Sequence, residues 1–399
     1  MRNMLSALGA MILALVMQPV AAQSDFKANL YGFVDVRSYF DTRKSATGAC
    51  DFLYLYPLDE NLNADGKDLN EQTSSSLFGS TARFGLNLTG PKVLGAASRA
   101  NVEMDFFNYS STTFYLFRHA YMALDWGGAT VTFGQTWHPM STLMPSTVNI
   151  ALGSPFNGLS RSPQLRYDYM VGLVPGLKLS AAAIFQYLAT STGPQGKSNV
   201  YQKNSMIPEL YAGAEWQDDN LMVGAGLEWQ SICPVVEKDD KQYVNSISAM
   251  AHVRYKYDDL LFMAKAYLGG NMSNLGFCSG YGKVWESDGK WAPLYACSSW
   301  MYVEYGHDFK AGIFGGWMRN LGSREDLELA KIYSVGGDID RMTRIAPNIK
   351  YISGNTTFAA EFDMTTVRYG DRKVNGQVAG KRWAINNRLL LTAIYSFNL

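Results

Sequence analysis

The chain has 399 residues, of which 13% are aromatic and 37 are Gly, while only 18% are charged. A typical soluble domain has about 25% charged residues, so this composition favours an outer-membrane barrel over a secreted soluble protein. The 35 basic residues balance the 35 acidic ones, and this balance gives no indication of nucleic acid or another polyanion as a partner.

Residues 1–22 are predicted to be a secretory signal peptide. Residues 4–20 are largely apolar, and Val20-Ala21-Ala22 provides the small residues of a cleavage site. An uncleaved membrane anchor is the alternative, but Gln18 and Pro19 interrupt the short apolar run. No later stretch approaches the roughly 18 consecutive apolar residues that a membrane helix requires.

Alternation with period two dominates the rest of the chain. In residues 30–40, the apolar residues Val34 and Val36 alternate with Asp35 and Arg37. The same alternation recurs in residues 81–88, 99–106, 221–230 and 344–351. Strict alternation over such lengths predicts β-strands rather than helices.

The connections between these strands are alternately short and long. The short ones contain the Gly, Pro, Asn or Asp that tight turns require, and they lie at residues 89–95, 126–129, 174–176, 217–220, 258–259, 307–309 and 353–355. Long polar segments lie near residues 43–76, 138–162, 190–207, 234–243, 272–296, 321–338 and 371–381, with a brief one near 108–113. This layout predicts an all-β, transmembrane antiparallel barrel of about 16 strands, with short periplasmic turns and long extracellular loops.

Residues 23–399 are therefore predicted to form one barrel domain around a water-filled channel, because a sheet in lipid must close and a barrel of this size encloses water. The polar set of side chains faces the channel. The predicted pore-lining residues are Asp35, Arg37, Arg83, Arg99, Glu103, Asp105, Arg344 and Arg388, joined by Arg118 and Arg166. The alternative is that these charges pair across neighbouring strands and only solvate the lumen. Arg118 lies in "LFRHAYMALDW", which alternates poorly.

The third long loop, residues 138–162, is predicted to fold into the barrel and constrict the pore. It contains Met, Leu, Pro, Val, Ile and Phe, and Arg161 is its only full charge. The alternative is a loop that lies on the rim or on a neighbouring subunit. An uncharged loop leaves wall arginines uncompensated, which indicates a weak preference for anionic or polar solutes.

The first long loop offers a weak calcium site. Asn61, Asn63 and Asp65 copy the first half of a calcium-binding loop, but Gln72 stands where the template has its bidentate Glu. A solvated polar loop is the alternative, and no cofactor is expected elsewhere.

Four cysteines, Cys50, Cys233, Cys278 and Cys297, allow three disulfide pairings in an exported chain. Cys278 and Cys297 flank one polar, Gly-rich segment and are the favoured pair, and free buried thiols are the alternative.

Motifs of catalysis are weak. His138 and Ser141 are the only local His/Ser pairing, and no G-x-S-x-G motif occurs. A barrel enzyme such as an outer-membrane lipase or protease is therefore an alternative function rather than the expected one, and the protein is expected not to be an enzyme.

The chain ends on a strand, "NNRLLLTAIYSFNL". Its alternate positions are apolar and face lipid, and Phe397 is expected to be the sorting signal for the barrel-insertion machinery. Asn398 and Leu399 follow it, where many such proteins end at the aromatic residue.

Several of these segments resemble the DcaP-like trimeric outer-membrane porins, especially those of Bacteroidota: "LYGFVDVRSYFDT", "ARFGLNLTGP", "FRHAYMALDWGGATVTFGQTWHP" and "NNRLLLTAIYSF". The resemblance covers most of the chain and implies a sixteen-stranded homotrimer with a loop folded into each pore. It also implies that Arg37, Arg83, Arg99 and Arg118 contribute to solute selectivity.

The expected function is an outer-membrane porin for passive diffusion of small hydrophilic solutes. Its expected partners are itself as a homotrimer, outer-membrane lipid or lipopolysaccharide, small polar solutes and the insertion machinery. A barrel enzyme and an adhesin or structural barrel are the alternatives.

Overall fold

The computed structural model describes residues 26–48, 50–109, 112–237 and 240–399. The predicted signal peptide, residues 1–22, lies outside the described residues. The strands are β1 (Lys27–Asp41), β2 (Ser45–Thr47), β3 (Tyr54–Pro57), β4 (Ser74–Val93), β5 (Ala96–Tyr109), β6 (Thr112–Asp125), β7 (Ala129–Trp137), β8 (Arg161–Met170), β9 (Leu177–Ile184), β10 (Glu209–Gln217), β11 (Leu221–Glu237), β12 (Asp240–Tyr257), β13 (Leu260–Gly270), β14 (Gly280–Val284), β15 (Trp291–Gly306), β16 (Phe309–Gly322), β17 (Leu327–Ser334), β18 (Ile339–Ser353), β19 (Thr356–Arg372) and β20 (Val378–Asn398).

Sixteen of these strands form a closed antiparallel barrel. Within the described ranges, eighteen strands share one sheet, and two of them, β14 and β17, belong to long loops rather than to the wall. The ring closes because β1 pairs with β4 on one side and with β20 on the other. The predicted fold class and strand number are confirmed.

The period-two pattern of the sequence determines which side chains face the membrane. On β1, Val34 and Val36 are exposed on the outer surface, whereas Asp35 and Arg37 are buried inside. A one-residue shift in register would reverse both faces, so burial of the charged set specifies the pairing strongly.

The long loops contain most of the remaining regular structure. β2 and β3 form a hairpin in the first loop, helix α1 (Val200–Ser205) lies between β9 and β10, and single 3₁₀ turns occupy Pro139–Ser141 and Met272–Leu275. No helix in the described part of the chain is long and apolar enough to cross a membrane. The loops predicted near 234–243 and 371–381 are shorter than expected, because the strands on either side continue past the predicted boundaries.

A β-bulge explains why the segment around Arg118 alternates poorly. Between β5 and β6, Glu103 is opposite His119, whereas Met104 is opposite Phe117, so Arg118 is an extra residue. A bulge inserts one residue into a strand and re-aims its side chain. Arg118 and His119 are therefore both buried inside the barrel although they are neighbours in sequence.

The predicted disulfide between Cys278 and Cys297 is wrong, because both thiols are free. Cys278 lies in the loop between β13 and β15, inside the barrel, where it is buried against Gly336. Cys297 lies on β15 opposite Leu268, on the face that also carries the exposed Met301. The barrel wall separates the two sulfur atoms, a relation that sequence spacing does not reveal.

Candidate functional site

The third loop, which the structure bounds at residues 138–160, runs along the inner wall of the barrel. The Nζ atom of Lys265 on β13 donates a hydrogen bond of 2.8 Å to the carbonyl of Met140. Further along the loop, Nη1 of Arg344 on β18 donates one of 3.1 Å to the carbonyl of Ser154. The loop has few charges of its own, so its backbone carbonyls accept from the inward-facing cations of the wall.

The middle of this loop is held by one carboxylate and one guanidinium. The two carboxylate oxygens of Glu361 on β19 accept hydrogen bonds from the backbone amides of Val148, at 2.7 Å, and Asn149, at 3.0 Å. Nη1 of Arg37 on β1 donates to the carbonyl of Val148 at 2.7 Å. Hydrogen bonds to charged groups are roughly twice as strong as neutral ones, so this contact orders the loop.

The first loop also folds into the barrel, which the sequence analysis did not predict. Tyr54 on β3 is completely buried, and its ring lies beneath the guanidinium carbons of Arg388, at 4.5 Å, and Arg344, at 4.9 Å. Its backbone carbonyl accepts a hydrogen bond of 3.1 Å from Nδ2 of Asn149 in the third loop. Burial raises the pKa of Tyr54 above its ordinary value of 10.0. The two inward loops therefore support each other.

A signal for this second inward loop exists in the sequence. Residues 52–57 read "FLYLYP", an apolar and aromatic run inside an otherwise polar loop. The calcium-like residues of the same loop indicate a solvated loop instead, so the two local signals conflict. Exposed aromatic runs of this kind usually mark a packing surface.

Several predicted pore-lining residues lie beneath these loops rather than in open channel. Arg388 forms two hydrogen bonds with Asp41, of 2.8 and 2.7 Å, and Arg37 lies 2.5 Å from Asp35. Nε of Arg344 also forms an ion pair, at 3.1 Å, with a carboxylate of β19. All of these side chains face inward as predicted, but almost none of their surface is accessible.

Arg83, Arg118, Glu103 and Asp105 form a second group of predicted residues on β4, β5 and β6. Nε of Arg83 lies 2.6 Å from Asp105, and Arg118 lies 2.5 Å from Glu103 and 2.8 Å from Asp105. The bulge at Arg118 is what allows both guanidiniums to reach the same two carboxylates. The structure therefore brings four of the predicted residues together.

Arg161 adds a third guanidinium to this group. Its guanidinium carbon lies 3.7 Å from the ring centre of Trp137, and that of Arg118 lies 5.5 Å from the same centre. Within the described ranges, Arg161 forms no ion pair, and its Nε is buried without a hydrogen-bond partner. The group therefore contains three guanidiniums and two carboxylates, and only Arg83 and Arg118 pair with the carboxylates. In the sequence, Arg161 stands out only as the full charge of the third loop.

A cavity of about 330 Å³ lies between the third loop and strands β8 to β12. Two ion pairs line it: Arg166 with Asp168 at 2.9 Å, and Lys178 with Glu215 at 2.7 Å. Arg254 also lines it, and among the residues that the structure describes it has no ion-pair partner. The cavity is therefore lined by three Lys or Arg side chains and by only two carboxylates.

In three of the ion pairs on the inner wall, the base is more exposed than the acid. The side chain of the base is 25% exposed against 14% for Arg83 and Asp105, 35% against 20% for Lys178 and Glu215, and 24% against 16% for Arg166 and Asp168. At these three pairs, a solute inside the barrel therefore meets the base before the acid.

Arg99 stands apart from these groups. It lies near the start of β5, opposite Thr89 and Ala123, and is exposed at the short-turn end of the barrel. Arg99 is four residues before Glu103 on β5, so both side chains are on the inward face of the strand. The structure does not bring Arg99 together with Arg83, Arg118 and Arg161.

A family comparison assigns the barrel. The family model for the Gram-negative porins matches residues 9–285, which is more than half of the chain. The chain belongs to the Gram-negative porin family. No curated protein matches the sequence. The porin therefore resides in the outer membrane, where it forms a water-filled channel for passive diffusion of small hydrophilic solutes.

Solved structures share the fold of this porin at low sequence identity. The outer-membrane channel DcaP of Acinetobacter baumannii superposes with a TM-score of 0.68 at 18% identity, covering 94% of this chain and 99% of that one. The anion-selective porin of Comamonas acidovorans gives 0.55 at 11% identity, with 94% and 100% covered. The trimer form of OmpT, an outer-membrane protein of Vibrio cholerae, gives 0.53 at 12% identity, with 94% and 100% covered. The predicted DcaP-like fold is confirmed, and the assignment to Bacteroidota stays a prediction.

His138 and Ser141 do not form a catalytic pair in this porin. Both are completely buried, and Oγ of Ser141 accepts a hydrogen bond of 3.1 Å from the amide of Ser160. Nε2 of His138 points instead at Glu209, 3.3 Å away. A nucleophile without a base and without access to substrate does not support catalysis.

The group formed by His138, Glu209 and Glu228 has the composition of a metal site, with ligand atoms within 4.8 Å of one another. Nδ1 of His138, however, accepts a hydrogen bond of 3.2 Å from the amide of Met140. Since an amide only donates, the neutral ring carries its proton on Nε2, the atom that would have to bind the metal. These residues therefore do not fit a metal ion.

The calcium-like residues of the first loop have a structural role. Oδ1 of Asn63 accepts hydrogen bonds from the backbone amides of Asp65, at 3.0 Å, and Lys67, at 2.9 Å. An Asx turn of this kind accounts for the Asn and Gly spacing. Asn61 belongs to the same turn, where its amide donates to Asp68.

Proposed function

We propose that this porin is a weakly anion-preferring channel, narrowed by its third loop, and that it works as a homotrimer. The observation that carries the anion preference is the distribution of unpaired charge. Arg254 lines the cavity and has no carboxylate partner among the residues that the structure describes, whereas Glu361, which pairs with loop amides, is only 2% exposed. Unneutralised positive charge in a narrow, low-dielectric passage raises the local concentration of anions.

The constriction by residues 138–162 is supported by the anchoring of this loop to inward side chains, one of which is on the far side of the ring from β7 and β8, the strands that the loop connects. Lys265 on β13 and Glu361 on β19 hold two different points of it. A loop fixed at both points crosses the lumen instead of lying on the rim. The inward first loop narrows the same passage from the side of β18 to β20.

The homotrimer is supported only by the similarity of this fold to that of a protein described as a trimer. OmpT of Vibrio cholerae, which has the same architecture, is described in a trimer form. Chemical crosslinking of the purified porin in detergent is expected to give a band of three subunits. A single-subunit band at every crosslinker concentration would contradict this part of the proposal.

A channel function without catalysis is favoured over a barrel enzyme. The buried His138 and Ser141 face different partners, as described above. Lipid hydrolysis by the purified porin that disappears in a Ser141→Ala variant would support the enzyme instead.

Reversal potentials in a KCl gradient across a planar bilayer test the selectivity. The wild-type channel is expected to conduct chloride better than potassium. Arg254→Gln is expected to lower the chloride-to-potassium permeability ratio roughly two- to fivefold, since a unit charge at 4–8 Å in water is worth about 0.5–1 kcal/mol. Lys67→Gln, which removes the same charge from the exposed tip of the first loop, is the matched control.

Two outcomes would contradict the proposal. One is a clear cation preference of the wild-type channel. The other is an equal change of the permeability ratio in Arg254→Gln and Lys67→Gln, which would show that net charge, rather than the cavity, sets the selectivity.

A further inference from the structure

The outer surface of the barrel carries a row of arginines on three adjacent strands. Arg319 on β16 is directly opposite Arg341 on β18, and Arg341 is directly opposite Arg368 on β19. The next residue in the row is Trp383 on β20. Like charges directly opposite each other on neighbouring strands destabilise a sheet, so this row calls for a compensating anion.

The side chains of the row point outward. On β16, Arg319 continues the face of Ile313 and Trp317, which are 47% and 39% exposed. On β18, Arg341 continues the face of Ile345, which is 48% exposed, while the intervening Met342 is completely buried. The arginines are therefore on the outer surface of the barrel and not in the pore.

The row lies at the edge of the membrane on the side of the long loops. Phe309, 60% exposed, marks the other edge at the start of β16. Arg319 is ten residues further along the strand, or about 34 Å, which at a tilt of about 40° corresponds to roughly 26 Å across the membrane. The apolar band of such barrels is about 25 Å tall, so the row is level with the headgroups of the outer leaflet.

The protein itself neutralises little of this charge. Asp340 is the only carboxylate paired with the row among the described residues, 3.1 Å from Nε of Arg341 and 3.7 Å from Nη1 of Arg368. In the same part of the structure, Arg319 has no ion-pair partner. Nε of Arg368 is buried and has no hydrogen-bond partner among the described residues, and the guanidinium carbon of Arg368 lies 5.7 Å from the ring centre of Trp383. Three guanidiniums and one carboxylate leave two positive charges.

A groove of about 700 Å³ lies on the outer wall next to the row, on its membrane side. Its floor is formed by small residues of neighbouring strands, among them Ala264, Ser299 and Gly315, and Trp317 and Ile345 border it. Trp317 is two residues from Arg319 on the same face of β16. The wall thus combines a cationic site at headgroup level with an apolar groove at acyl-chain level.

We propose that this face binds one phosphorylated lipid of the outer leaflet, with its phosphate on Arg319, Arg341 and Arg368 and an acyl chain in the groove. Arginine is suited to this because its planar guanidinium binds phosphate in a bidentate manner. A lipid fits better than a soluble anion because the apolar groove adjoins the cationic row. The inference does not depend on the selectivity of the pore, since none of these side chains faces the lumen.

Native mass spectrometry of the detergent-purified porin, incubated with bisphosphorylated lipid A or with phosphatidylcholine, tests the proposal. The wild-type protein is expected to retain lipid A at least five times more often than phosphatidylcholine. A triple Gln variant, Arg319→Gln with Arg341→Gln and Arg368→Gln, is expected to lose this preference. The control with the same charge change replaces Lys27, Lys92 and Lys256 by Gln at the short-turn end, and it is expected to retain the preference.

Gly315→Leu tests the groove separately from the charge. A Cβ at Gly315 would meet only Cγ of Met301, at the ordinary distance of 3.6 Å, so a side chain can begin at this position and project into the groove. Lipid A retention is expected to fall in this variant with the arginines intact. Unchanged single-channel conductance and the heat-dependent gel shift of a folded barrel confirm the fold of every variant.

Three results would overturn the proposal. The first is an equal loss of lipid A in the triple Gln variant and its control. The second is full retention in Gly315→Leu together with displacement of the lipid by inorganic phosphate alone, which would indicate a simple anion site. The third is loss of the trimer with unchanged lipid binding, which would assign the row to contact with a second copy.

Discussion

At the scale of single residues, the same side-chain type has two roles inside this barrel. Arg344 and Arg388 are covered by Tyr54 and hold the inward loops, whereas Arg83 and Arg166 remain partly accessible to the channel. The alternation of the sequence predicts that all four face inward. It does not predict which of them a loop covers, because the covering residues come from distant parts of the chain.

Cys278 provides a test of burial at this scale. Burial raises the pKa of its thiol to about 12, so the thiol stays protonated at pH 8 and is a poor nucleophile. A raised pKa stabilises the fold below the pKa of the unfolded state, and this contribution is lost as the pH rises toward the folded value. Maleimide at pH 8 is expected to leave Cys278 unlabelled in the folded porin and to label it in urea, as measured by peptide mass spectrometry.

Rapid labelling of Cys278 in the folded protein would contradict its burial. Raising the pH from 7 to 9 accelerates the labelling of an ordinary thiol with a pKa of about 8.5. The rate for Cys278 is expected to stay far below that of the ordinary thiol at both pH values, because its thiolate is a minor species throughout this range.

At the scale of elements, the strands were predictable and the paths of the loops were only partly so. Alternation is local, so a few residues suffice to recognise strands such as β1 and β18. The inward course of the third loop was predicted from its low charge. The inward course of the first loop depends on a contact between Tyr54 and wall residues about 300 positions away, such as Arg344 and Arg388, which local patterns do not encode.

Glu361→Gln is expected to release the middle of the third loop. The carboxylate accepts from two backbone amides, and Gln offers only one oxygen, so one amide loses its partner at a cost of about 1.5–3 kcal/mol. The expected result is faster hydrogen exchange at Val148 and Asn149 and a larger, noisier single-channel conductance. Glu215→Gln, whose carboxylate binds Lys178 and His252 instead of the loop, is the matched control. Equal exchange rates in both variants would show that the carboxylate does not order the loop.

Tyr54→Ala is expected to detach the first loop from the wall. Truncation of a fully buried aromatic side chain costs about 3–5 kcal/mol, and here it also exposes the guanidiniums of Arg344 and Arg388 to the channel. Conductance is expected to increase, with a shift toward anions. Leu62→Ala, at a position 55% exposed in the same loop, should leave both unchanged. A conductance equal to that of the wild type would mean that the first loop does not narrow the pore.

At the scale of the whole molecule, closure of the ring depends on the last strand. The ring of Phe397 packs beside Gly32, where a Cβ would lie 2.7 Å from its Cζ, and its centre is 5.8 Å from that of Phe84. The C-terminal strand is therefore an integral part of the wall, as its alternation indicates. Its role in sorting stays a prediction.

Phe397→Ala is expected to reduce the amount of folded porin in the outer membrane, because it removes both the aromatic signal and the packing against β1 and β4. Tyr395→Ala, which removes an aromatic side chain 55% exposed on the same face, is the control. Fractionation followed by heat-shift electrophoresis measures the folded amount. Normal assembly of Phe397→Ala would contradict the assignment of the signal to this residue.

The seam between β1 and β20 also sets the order of events during biogenesis. Nδ2 of Asn29 donates to the backbone oxygen of Leu399, across 370 residues of chain. At about 5–20 residues per second, the ribosome needs roughly 20–75 s to supply that partner. During this time the edge of β1 has no strand on one side, and such an edge pairs readily with other chains. The nascent porin can therefore close its barrel only after β20 has been made.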